Sequence, residues 1–216
     1  MRAVDTIRER RPGHLPMASR EQRTAPLSWN PVTKPLTAFP ADGYTARWHT
    51  WDQDGNETLA LRWENEGWTA TGEVGREAVT YVIRLSATWQ VSQFLLFRDM
   101  DEPDLWLGTD GSGRWGEMNG AHRPDIDGCT DIHLPCTPFT NTLPIRRLRL
   151  DIGDSADVLA ASVDVETLGV VRVKHRYRRL GTRRFEHSVL GSDINTEFDI
   201  DEYGLVHDLP DQFRRI

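Results

Sequence analysis

From Arg47 onward, segment after segment alternates apolar and polar side chains with period two, and this constrains the fold more than any other feature of the chain. A helix turns once in about 3.6 residues and cannot hold such a pattern to one side, whereas a strand puts successive side chains on opposite faces. In ETLALRW, Leu59, Leu61 and Trp63 share a face, with Thr58, Ala60 and Arg62 on the other. GWTATGEV sends Trp68, Ala70, Gly72 and Val74 inward, and AVTYVIRL does so with Val79, Tyr81, Ile83 and Leu85. WQVSQFLLF is apolar enough to predict a central strand buried on both faces. Turn-forming clusters separate these segments at 52–56, 64–67, 75–77 and 86–88, which makes them a meander of antiparallel strands.

Two short strands follow around the Asp110–Gly113 turn, then a looser stretch through GCTDIHLPC. Strand patterns return in DVLAASVDVE, VVRVKHRYRRL, TRRFEHSVL, INTEFDI and GLVHDL. Long helical periodicity is hard to find, so the predicted class is mainly β with few short helices. Trp68 and Tyr81 stand as far apart as Phe185 and Phe198, a spacing that suggests two similar halves, tandem hairpin units of one curved sheet.

Residues 1–42 hold six of the twelve prolines, and seven bases against four acids. So polar and broken a segment cannot bury enough surface to offset its chain entropy. It is expected to be a flexible Pro/Arg-rich extension, with Trp29 able to dock back, ahead of a single β domain over 43–216. The whole chain carries a formal charge of −7, which argues against nonspecific nucleic-acid binding, a process driven by neutralising phosphates. Two cysteines are too few for a disulfide framework, the first residues lack the apolar run of a signal peptide, and no window is apolar enough to span a membrane as a helix. A cytoplasmic location is the expectation.

No Gly-x-Ser-x-Gly elbow, phosphate-cradling glycine loop or His-Glu-x-x-His pair is present. Cys129, His133 and Cys136 supply three zinc-type ligands in a spacing that fits no familiar site. Asp125, Asp127 and Asp131 lack the glycine turn and terminal glutamate of a calcium loop. No catalytic residue, metal or cofactor is therefore assigned. VVRVKHRYRR, as a strand, lines Arg172, Lys174, Arg176 and Arg178 along one face. Such a stripe could hold anions or an acidic protein partner, or it could pair with acids on a neighbouring strand.

The run CTPFTNTLPIRRL, with GCTDIHL before it, RWENEGWTATGEV and GRW earlier, and HRYRRL and DEYGLVHDLPDQFRRI later, resembles a bacterial family of putative glycolipid-binding proteins, formerly a domain of unknown function. The resemblance extends from about Arg47 to Arg215 and implies an antiparallel β-fold, open or half-closed like an incomplete barrel. It implies noncatalytic binding of an amphiphile, a glycolipid or other lipid, and brings no catalytic residues. On that reading Trp63, Trp68, Tyr81 and Phe94 line a concave apolar face, Thr140, Asn141 and Thr142 offer polar partners to a sugar, and Arg146 and Arg147 meet the head group. The alternative for the same run is scaffolding: Pro138 and Pro144 stiffen a crossing segment, its polar side chains satisfy backbone groups, and its arginines fork onto acids such as Asp125 or Asp131. A protein-interaction module and an uncharacterised hydrolase are the alternative functions; ligand identity and oligomeric state are left open.

Overall fold

The structure, a computed structural model, describes residues 35–99 and 101–216. It is mainly β. A nine-stranded sheet begins with β1 (Tyr44–Thr50), β2 (Asn56–Glu64), β3 (Gly67–Val74), β4 (Val79–Ser86), β5 (Val91–Phe97), β6 (Leu105–Thr109) and β7 (Trp115–Glu117), each hydrogen-bonded to the next. The second sheet has β8 (Asp131–His133), β9 (Ser155–Val163), β10 (Val170–Arg179), β11 (Arg184–Val189) and β12 (Asn195–Asp199). The chain then returns to the first sheet, adding β13 (Asp208–Leu209) and β14 (Phe213–Arg215) beside β1.

The predicted meander is present, and its turns follow from local chemistry. Asn65 and Glu66 both take positive φ, at 52° and 62°, so β2 and β3 are joined by the two-residue turn whose twist suits a hairpin. The inward faces of β3 and β4 are the predicted ones: Trp68, Ala70, Val74, Val79, Tyr81, Ile83 and Leu85 are all buried. Tyr81 lies opposite Gly72 in the ladder, and a Cβ at Gly72 would fall 2.1 Å from the Tyr81 ring. The glycine is what lets that ring lie flat across β3.

Three expectations need adjustment. β5 is not buried on both faces: Val91, Phe94 and Leu96 are buried while Ser92 is exposed and Leu95 and Phe97 are half-buried, and a register shift at Arg84/Leu85 resets the phase between Val91 and Phe94. The two halves are unequal in strand number, and their supposed matching pairs differ. Phe185 faces Phe198 directly, whereas Trp68 faces Leu85. The stretch GCTDIHL contains β8, which pairs parallel to β9, an arrangement no hairpin pattern announces.

Residues 134–148 lie between the sheets. A 3-10 turn at Phe139–Asn141 runs into the helix α1 (Thr142–Leu148). Phe139 and Leu143 are wholly buried, and the Phe139 ring stacks parallel to Tyr81 with centroids 6.3 Å apart. The chain thus fills the space between its sheets with its own side chains. Residues 1–34 of the expected flexible extension, with Trp29 and its expected docking, lie outside the described residues. Residues 35–42, counted with the extension above, include Phe39, which is buried among Tyr44, Trp68, Trp89 and Tyr203.

Candidate functional site

A cavity of about 390 Å³ opens where the β4–β5 turn, the end of α1, the β10–β11 corner and residues 35–36 meet. Its apolar wall is Leu36, Trp89, Ile145 and Phe185; its polar lining is Arg146, Arg149, Arg179 and Asp151. Each of these is held by something specific. Trp89 sits at φ 68°, an uncommon conformation for a bulky residue, in a turn closed by its N–H to the Ser86 carbonyl at 3.0 Å. That places the indole beneath the Arg146 guanidinium, 4.5 Å from the ring centre, and parallel to Trp68 behind it. Phe39 covers another side of Arg146 at 4.7 Å. Nη1 of Arg146 donates to the carbonyls of Thr37, at 3.2 Å, and Tyr203.

α1 ends at Arg149, whose left-handed φ of 49° terminates the helix and leaves its side chain exposed at the rim. Arg179, at the end of β10, is buried. Its guanidinium donates to three carbonyls: Gly181 at 3.2 Å, Leu150 at 2.9 Å and Thr182 at 2.6 Å. Burial holds both Arg146 and Arg179 below the ordinary arginine range, Arg146 to about 10.

Of the side chains named from the sequence, Arg146 lines this cavity. Trp68 stands one layer behind it and also borders a shallower pocket with Arg84 and Gln93. Trp63 packs edge-on against Trp68 and is 43% exposed. Tyr81 and Phe94 are wholly enclosed in the core. Thr140 and Asn141 serve the chain itself: the Thr140 hydroxyl accepts from the Leu134 N–H at 3.3 Å, and the Asn141 side-chain amide oxygen, Oδ1, accepts from the Tyr177 hydroxyl at 2.9 Å. Thr142 is fully buried. Arg147 turns away to the buried Asp131 and to Thr130, the fork foreseen in the scaffolding alternative; Asp125 pairs with Arg123.

A second buried constellation was not named from the sequence. Glu57 is enclosed in the core, where one carboxylate oxygen accepts from Thr137 at 2.6 Å and Tyr81 at 2.7 Å. Its other oxygen has no partner among the described residues. Burial raises its pKa to about 7 against the lowering effect of those two hydrogen bonds. Alternation in NETLALRW places Glu57 on the same face as Leu59 and Leu61; a carboxylate in an apolar stripe was the available clue.

The zinc candidate is dispersed. His133 packs at a tilt against His175, 4.5 Å between ring centres, and Cys136 borders the groove beside Glu77. Among the described residues no three or more His, Cys, Asp or Glu side chains are arranged to hold a metal ion. On the basic strand, Lys174 and Arg176 share Asp157 of β9 at 2.8 and 2.6 Å, and Arg172 donates to the Asp127 carbonyl. The acid that pairs them is on the adjacent strand, as the second reading of the stripe required. Trp89, Arg149, Arg179 and Phe185 went unnamed as ligand contacts because they are scattered along the chain and converge only through folding.

Among the described residues no helix is long and apolar enough to cross a membrane. No curated protein matches the chain. A crystal structure of a DUF1089 family protein from Pseudomonas aeruginosa is similar in fold, with a TM-score of 0.61 and 28% identity over 85% of this chain and 97% of that one. The family model described as "Putative glycolipid-binding" matches residues 45–215. That span contains both sheets, α1 and all of the cavity lining except residues 35–36, and the chain belongs to this family.

Proposed function

We infer that this chain binds, without catalysis, the polar head of an amphiphile in the cavity around Arg146. The observation that carries this reading is the make-up of the lining: aromatic and aliphatic surface from Trp89, Phe185, Ile145 and Leu36 faces the donors of three arginines and the Asp151 carboxylate within one cavity. Ligand sites are typically such apolar clefts with a few convergent polar groups. Sugars and similar heads present one face that stacks on an aromatic ring and an edge of hydroxyls that hydrogen-bonds.

The volume limits the occupant. At about 390 Å³ the cavity stands near the lower end of small-molecule sites, so it takes a head group while the tail leaves along the surface. The space between the sheets is closed to a tail by Phe139, Tyr81, Phe94 and Leu96. The family description supports the ligand class.

Native mass spectrometry of the full chain with a panel of single-chain glycosides, lysophospholipids and fatty acids tests the reading. A retained adduct that disappears in Trp89→Ala, with the variant still folded by circular dichroism, is the expected result. No adduct and no change in melting temperature across the panel would overturn it.

A further inference from the structure

Five arginines of the described residues are buried or half-buried: Arg123, Arg146, Arg147, Arg179 and Arg215. Three of them lie within 4 Å of a carboxylate: Arg123 on Asp125, Arg147 on Asp131 and Arg215 on Asp201. Arg146 and Arg179 have no such partner among the described residues, and both line the same cavity. The coincidence matters because a guanidinium does not give up its proton near neutral pH, and enclosing it without a counter-charge is costly. The carbonyls that hold these two side chains satisfy hydrogens; they do not neutralise charge.

The two groups also keep donors to spare. A guanidinium has five N–H bonds. Arg146 spends Nη1 on the Thr37 and Tyr203 carbonyls, while its buried Nε has no acceptor. Arg179 uses one hydrogen of each terminal nitrogen and its Nε, which leaves a second hydrogen on Nη1 and on Nη2. Arg149 adds a third cation at the rim; burial disfavours the protonated form of Arg146 most, and the favourable charge of Asp201, itself paired with Arg215, is opposed by that of Arg149. The sole acid in the lining is Asp151, which is exposed. A chain with a net charge of −7 does not gather three cations in one cavity by bulk composition.

We propose that the occupant of this cavity carries an anionic group of the phosphate, sulfate or carboxylate kind, and that this group is the missing counter-charge of Arg146 and Arg179, with Arg149 closing over it. The proposal rests on the binding reading given above and narrows it from any polar head to an acidic one. Fork-shaped donors and tetrahedral or planar oxyanions match in geometry as well as charge. Phe39 and Trp89, packed on the Arg146 guanidinium, keep it aimed while its Nε waits for an acceptor.

Isothermal titration of the full chain with n-dodecyl phosphate, n-dodecyl β-glucoside and inorganic phosphate tests it. The alkyl phosphate is expected to bind at least about tenfold more tightly than the glucoside, the difference a charge-assisted contact supplies over a neutral one. Arg149→Gln, at an exposed position, should remove most of that preference without unfolding the protein. Arg178→Gln, an exposed arginine outside the cavity lining, should leave the preference unchanged. Competition by inorganic phosphate would support the anion site and show that a free oxyanion suffices; its failure to compete beside tight alkyl-phosphate binding would support the lipid-head source. Equal affinity for phosphate and glucoside heads would overturn the proposal while leaving amphiphile binding intact. Binding of none of the probes would overturn both.

Discussion

The run from Thr137 to Arg149 contains two polar regions, one of hydroxyl and amide side chains and one of arginines, that do opposite things. In the first, polar side chains are absorbed: Thr137 donates to Glu57, Thr140 meets the Leu134 backbone, and Asn141 accepts from Tyr177. These bonds tie the nine-stranded sheet to the five-stranded one through a segment wedged between them. In the second, Arg146 and Arg149 face the cavity, the one half-buried with no carboxylate of the described residues within 4 Å and the other exposed at the rim. A few residues along one chain separate a polar group that holds the architecture from one left for a ligand. What differs is the partner, and partners come from elsewhere in the chain.

The largest effect should fall in the first region. Phe139 is wholly buried between the sheets, so Phe139→Ala is expected to cost about 4 kcal/mol of unfolding free energy in urea titration. A loss below about 1 kcal/mol would mean that the wedge is dispensable and that the space between the sheets can open.

Glu57 supplies the next test. Its folded-state pKa of about 7 lies above its ordinary 4.5, so the folded chain holds an extra proton between those values. That contribution to stability is fully present below pH 4.5 and is lost as pH rises through about 7. The loss amounts to about 3 kcal/mol for a group that far shifted. Glu57→Gln keeps an uncharged acceptor for Thr137 and Tyr81, and its stability should decline less across that window. Asp131, also raised by burial, acts in both proteins and cancels in the difference. Parallel stability-versus-pH curves would show that the carboxyl is not the proton acceptor.

The smallest effect separates the neighbours Arg146 and Arg147. Arg147→Met strands the buried Asp131 and should cost about 3 kcal/mol. Arg146→Met leaves no carboxylate behind and forfeits two carbonyl bonds and its aromatic contacts, about 1 kcal/mol. Thermal denaturation of the two variants side by side would show this ordering; the reverse would make Arg146 the structural member of the pair and weaken the case for a ligand there.

The strand pattern was legible because its cause is local. Alternation in β3 and β4, the turn residues at Asn65 and Glu66, and the mainly β class follow from how one residue relates to the next. The family was legible as well, through the TPFTNTLPIRRL run. The cavity was not. Trp89 reaches it from a turn between adjacent strands, Arg179 from the far end of a strand in the other sheet, and Leu36 from the segment before β1. The parallel β8–β9 pairing escaped for the same reason.

By itself the amino-acid sequence determined which faces are apolar, where the chain turns, and that strands would dominate, since each of these is set by steric and solvation preferences of neighbouring residues. Tertiary structure alone decided that Phe139 would fill the space between the sheets, that Arg147 would meet Asp131, and that Arg146 and Arg179 would converge on one cavity with no carboxylate of the described residues within 4 Å of either. Long-range packing sets those outcomes, because whether a charge is neutralised depends on what the fold brings within a few ångströms of it.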